Sequence, residues 1–112
     1  MSVAKGVAKV ILARVPADKA FYFYGEIGKP LGTFASSLEE FGEKLKSVEA
    51  KSLEFHTRRG DFEKWVYMLG DGELARSLIK VRDANYSGEK LRTELVKTVQ
   101  TRIHQLKRPA PK

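Results

Sequence analysis

A chain of 112 residues can bury one modest hydrophobic core but not two, and a 42% hydrophobic content excludes wholesale disorder. The absence of cysteine excludes a disulfide framework, thiolate metal ligands and a cysteine nucleophile together. The formal net charge of +7 sits at the two ends, because residues 18–100 balance 14 Lys/Arg against 14 Asp/Glu.

Residues 7–15, VAKVILARV, are rich in β-branched groups and stop at Pro16, which predicts a strand followed by a turn over residues 17–19. Residues 20–24, AFYFY, predict a second strand with Phe21 and Phe23 on one face and Tyr22 and Tyr24 on the other. Gly25, Gly28, Pro30 and Gly32 punctuate a loop or a short third strand ending near Phe34. Connections this short allow only antiparallel pairing.

From Ser36 the period changes from two to about 3.6. Leu38, Phe41, Leu45 and Val48 share one stripe, and Ser37 with Glu40 has capping-box spacing, so a helix is predicted to start at Leu38. Gly42 inside it lowers helix propensity by about 1 kcal/mol relative to Ala, which implies a close contact over its bare backbone. A second helical piece covers residues 50–58. Asp61 is predicted to cap a helix carrying Phe62, Trp65, Val66 and Leu69, which Gly70 ends. Asp71 caps the next, with Leu74, Leu78 and Val81 inward. Ser87 caps the last and longest, where Leu91, Leu95, Val99, Ile103 and Leu106 recur at three- or four-residue steps before Pro109. The expected fold is α+β: a small antiparallel N-terminal sheet covered by three or four helices, with a long C-terminal helix. Its expected divisions are a basic strand-like extension at 1–19, a single domain at 20–106 and a basic Pro-containing tail at 107–112.

The motifs Phe21 to Tyr24, Ala35 to Phe41, Ser52 to His56, Arg59 to Phe62, Trp65, and Leu69 to Ala75 follow one another in a specific order. In that order they resemble a prokaryotic domain family of unknown function, with an aromatic strand, an ASSLEEF helix start, then S-L-E-F-H…R-G-D-F…W and L-G-D-x-E-L-A. The resemblance covers roughly residues 20–106. It implies a stand-alone or fused accessory domain of archaea and bacteria, sometimes associated with carbohydrate-active enzymes, and brings no catalytic residues. The basic extension and the basic tail lie outside that resemblance.

His56, between Glu54 and Asp61, is the nearest approach to an acid/base constellation. Its apolar neighbours Leu53, Phe55 and Phe62 favour a structural imidazole bonded to the turn at Arg59-Gly60-Asp61. The other histidine, His104, is too distant in sequence for a metal-ligand motif, so neither metal nor cofactor is expected, and no catalytic residue is assigned. Phe62, Trp65 and Tyr67 beside Arg58, Arg59 and Lys64 suit a stacking platform for single-stranded bases. Their spacing favours core for Phe62 and Trp65 and exposure for Tyr67. The glycines around Lys29-Pro30 match no phosphate-loop pattern and read as turn residues.

The charge split carries the functional expectation. Lys5, Lys9 and Arg14 at one end, and Arg102, Lys107, Arg108 and Lys112 at the other, have two readings: phosphate contacts, or a solvated surface favoured by the helix dipole. The preferred function is a non-enzymatic nucleic-acid-binding module, RNA ahead of DNA and ribosome-associated, that contacts phosphates through those seven residues. The alternative is a dimeric protein-interaction or regulatory subunit linked to carbohydrate metabolism. An enzyme working through His56 ranks third. No window approaches the ~18 apolar residues of a membrane-crossing helix, so a cytoplasmic protein is expected. High Lys/Glu/Arg content with two Met and no Cys points to a heat-adapted, archaeal-type source.

Overall fold

The computed structural model describes residues 3–109. In chain order its elements are α1 (Lys5–Leu12), a 3-10 turn (Ala17–Lys19), β1 (Phe21–Glu26), β2 (Lys29–Ala35), α2 (Leu38–Ser47), α3 (Ala50–Arg59), α4 (Asp61–Met68), α5 (Gly72–Asp83) and α6 (Gly88–Lys107). The class is α+β, with one two-stranded antiparallel sheet near the N-terminus and a long C-terminal helix. There are six helices, rather than three or four, among the described residues, and α2, α3 and α4 lie against the sheet.

Helix α1 was not among the expected helices, and it corrects the strand expected over residues 7–15. Ala8 and Ile11 are buried three residues apart, while Val7 and Val10 stand 49% and 65% exposed. That is a helical stripe, packed on α6 and α2. The strand preference of Val and Ile reflects packing on a pleated surface more than a backbone demand. Here the neighbouring surface is a pair of helices, and Ala and Lys supply ordinary helix formers. The sheet therefore has two strands, and the punctuated segment ending near Phe34 is the second of them.

Those strands form a hairpin turned at Ile27 and Gly28, where Gly28 takes φ 77°. Tyr22 pairs with Phe34 and Tyr24 with Pro30, with register shifts on both sides of Tyr24. Phe21 and Phe23 point into the core as the alternation predicted, where they meet Phe41, Phe62 and Trp65. Leu91, Leu95, Val99, Ile103 and Leu106 of α6 are all buried, and α6 packs on α1, α2, α3 and α5. Gly42 lies against Val99, Gln100 and Ile103, so α2 approaches α6 across its bare backbone as expected.

The caps divide into those read correctly and those reassigned by packing. The Glu40 N–H donates to Ser37 Oγ at 3.1 Å, and the Glu40 carboxylate reaches back to the Ser36 N–H at 2.8 Å. Asp71 Oδ1 accepts from the Leu74 N–H at 3.0 Å and caps α5. Ser87 precedes α6 without a side-chain cap bond, and the Gly88 N–H donates to Glu54 of α3 instead. Asp61 caps nothing, because its carboxylate turns towards His56 and Arg59.

Candidate functional site

The seven cations expected to meet phosphate have different fates. Arg102 is buried: its Nε–H and Nη2–H donate to the two carboxylate oxygens of Asp71 at 2.8 and 3.0 Å, and Nη1–H donates to Gln105 at 2.9 Å. It cannot reach a phosphate, because exposing it would leave Asp71 charged and unpaired in the interior. Arg14 donates to Glu40 at 2.9 Å, and Lys107 pairs with Glu39. The Ser36 amide, with help from Arg14, holds the Glu40 carboxyl below its ordinary range. Lys5, Lys9 and Arg108 are exposed, and Lys112 lies outside the described residues. Because α1 packs on α6, the two basic ends do approach each other. A groove of about 660 Å³ lies there, but Glu39, Glu40 and Glu43 line it against Arg14, Lys44 and Lys107. Charge in that groove cancels.

A second groove, of about 620 Å³, is built differently. The hairpin and the 3-10 turn supply one wall with Lys19, Tyr22, Tyr24 and Ile27. Helices α3 and α4 supply the other with Phe55, Arg59, Lys64 and Met68, and the buried His56 and Trp65 form its floor. Trp65 Nε1–H fixes the turn against this floor by donating to the Lys19 carbonyl at 2.8 Å, and the Tyr22 hydroxyl ties the turn to the hairpin by donating to the Ala17 carbonyl. Trp65 is thus core, as its spacing indicated, and its ring edge positions Lys19 at the rim.

His56 ties the walls together. The Tyr24 N–H donates to Nε2 at 2.9 Å, so the imidazole is neutral with its proton on Nδ1, which donates to Asp61 at 2.8 Å. Burial pushes its pKa below the ordinary value, outweighing the opposite pull of Asp61. Both ring nitrogens are engaged inside the protein, which is the structural role expected from its apolar neighbours. Asp61 also accepts from Arg59 Nε at 3.0 Å, and the Arg59 guanidinium lies 5.0 Å over the Phe55 ring. With Asp61 occupied in this way, Lys19 and Lys64 form no ion pair among the described residues. The groove offers ring surfaces, an arginine plane and two ammonium groups, and its lining also includes Asp18 and Asp61.

The sequence model of a family of unknown function, DUF5752, matches residues 6–100. The chain belongs to that family. No curated protein and no solved structure matches it. The match begins within α1, so most of the basic extension lies inside the span of the family rather than ahead of it. Every residue of the hairpin groove falls inside the match, whereas Arg102, Lys107 and Arg108 lie beyond it. Among the described residues, no cluster of three His, Asp or Glu could hold a metal ion, and no helix is long and apolar enough to cross a membrane.

Sequence reasoning had grouped Arg59 and Lys64 in one platform and Tyr22 and Tyr24 on one strand face, but it missed Lys19, Phe55 and Met68 as their partners. Only the stapling of the 3-10 turn beside Trp65 brings Lys19 to the same rim. The alternating aromatics of β1 were the available signal, since a strand with rings on both faces must show one set away from the core.

Proposed function

We propose that this domain is a non-enzymatic binding module that takes single-stranded nucleic acid, RNA ahead of DNA, in the groove between hairpin and helices. The observation that supports it is the meeting of Tyr22, Tyr24 and Phe55 with Lys19, Arg59 and Lys64 around one apolar floor. Stacking a base on such a ring contributes about 1–3 kcal/mol, and each cation on a phosphate adds a salt-dependent increment. Unpaired bases are the part of RNA that proteins read on aromatic surfaces. Lys5, Lys9 and Arg108 add long-range attraction at the other edge, in place of the tight contacts first assigned to the ends.

The test is fluorescence anisotropy with labelled single-stranded oligonucleotides between about 50 and 200 mM salt. Lys19→Glu with Lys64→Glu is expected to weaken binding and lower the log–log salt slope by about 1.4, at ~0.7 per contact. Tyr22→Ala is expected to weaken binding at every salt concentration. Absence of binding at the lowest salt defeats the reading. A protein partner is the second reading, favoured by Ile27, 78% exposed at the hairpin tip, with Leu31 and Phe34 also exposed along β2. Capture of a protein partner that is insensitive to salt and lost in Ile27→Asp would support it. The dimeric subunit linked to carbohydrate metabolism is a special case of that reading.

A further inference from the structure

We propose that His56 is a positioning residue that gates the groove: protonation of its imidazole parts strand β1 from α3 and α4 and withdraws the wall that carries Tyr22 and Tyr24. What the gate controls rests on the groove reading above; that it opens does not.

The geometry is asymmetric in a way that matters. Nδ1–H points at a carboxylate and gains from a positive ring, but Nε2 accepts from the Tyr24 backbone N–H at 2.9 Å. A backbone amide cannot turn round to become an acceptor. A proton on Nε2 therefore sets two N–H groups against each other, and one of them must move. Strand β1 is the part able to move, because its pairing with β2 is broken by register shifts on both sides of Tyr24. Neighbouring Gly25 packs against only the flexible end of Leu31, while Gly28 and Gly32 stand in open space and already adopt positive φ. The ring also stays attached to Asp61 when charged, so the release falls on the hairpin side.

The groups that face the imidazole set the direction of the switch. From β1 come the uncharged rings of Phe21 and Phe23 and the phenol ring of Tyr24. Helix α3 brings Phe55 and Arg59, and α4 brings Phe62 and Asp61. Asp61 favours the proton, while burial among the rings and Arg59 oppose it, burial most strongly. The closed form thus holds at pH 7, and the gate opens on acidification below the ordinary histidine range.

The decisive measurement is amide exchange on the intact chain between about pH 7.5 and pH 5, corrected for intrinsic rates, alongside the imidazole nitrogen shifts. Tyr24 is expected to lose about tenfold protection per unit by which folding lowers the His56 pKa, while Leu95 and Val99 of α6 stay protected. Unchanged protection at Tyr24 while the ring titrates overturns the gate. So does joint loss at Tyr24, Leu95 and Val99, which is acid unfolding of the whole domain. His56→Gln, which retains an acceptor without a titrating group, is expected to keep Tyr24 protected at both pH values, and acid release of Tyr24 in that variant also counts against the gate. Should that variant not fold, exchange in the wild-type chain still decides. Oligonucleotide anisotropy at the two pH values is the separate arm. If Tyr24 opens in acid but RNA binds at neither pH, the gate stands and the RNA reading falls.

Discussion

Arg102 and Lys107 lie five residues apart on one helix, and both were expected to contact phosphate, yet burial gives them different work. Arg102 closes a bidentate pair with Asp71, which also caps α5, so the carboxylate and the start of that helix both depend on one guanidinium. Arg102→Ala is expected to cost about 3–5 kcal/mol, because a buried carboxylate is left without its cation. Lys107→Ala removes an exposed pair with Glu39 and is expected to cost under about 1 kcal/mol. Urea denaturation of the two variants checks this, and a wild-type midpoint for Arg102→Ala would restore Arg102 as a free surface cation. His56 adds a pH term with a definite sign. Its folded pKa is lowered, so the unfolded chain binds the extra proton first. The stability it confers is complete above the ordinary value of 6.5 and is lost as pH falls through the lowered one. Thermal melts between about pH 7.5 and 5 are expected to show this fall, and His56→Gln should flatten it.

The meeting of α2 and α6 shows how a residue that weakens an isolated helix can be needed by a pair of them. A Cβ on Gly42 would stand 2.9 Å from Gln100 Nε2 and 3.1 Å from Ile103 Cδ1. Both are the far ends of side chains, and Gln100 is half-buried and able to swing. Gly42→Ala is therefore expected to change stability by no more than about 1 kcal/mol, since the gain in helix propensity offsets a small displacement. Gly42→Leu has no such escape and is expected to cost about 1–3 kcal/mol or more, by forcing the helices apart. Chemical denaturation of both variants tests the packing, and an unperturbed Leu variant would mean that α2 and α6 do not approach so closely. The α2 start was legible in Ser37 and Glu40, and the α6 stripe in its apolar period. The α1 helix was not, because Val7, Val10 and Ile11 carry a strand-like composition and only contact with α6 and α2 selects which of them is buried.

Across the whole molecule, folding redistributes the charge that the linear chain holds at its ends. The first turn of α2 brings Glu39 and Glu40 to Lys107 and Arg14, so part of each basic end is neutralised internally. Truncation before Lys107 is therefore expected to lower the log–log salt slope for single-stranded RNA less than the pair Lys19→Glu and Lys64→Glu. Anisotropy titrations of both variants against salt compare them directly. A larger drop on truncation would return the contact surface to the termini.

Local rules were enough for the parts of this protein in which neighbours in sequence decide the outcome. The caps at Ser37 and Asp71, the faces of Phe21 and Tyr22, the core stripe of α6 and the internal role of His56 all follow from spacing and side-chain chemistry. Only the tertiary structure decided the rest, because each case turns on a distant partner. Asp71 claims Arg102 across 31 residues, His56 draws Asp61 away from capping α4 while reaching 32 residues back to Tyr24, and Trp65 holds Lys19 at the groove across 46. A hydrogen bond or buried ion pair between remote residues depends on where the whole core places them, and no periodicity along the chain records that placement.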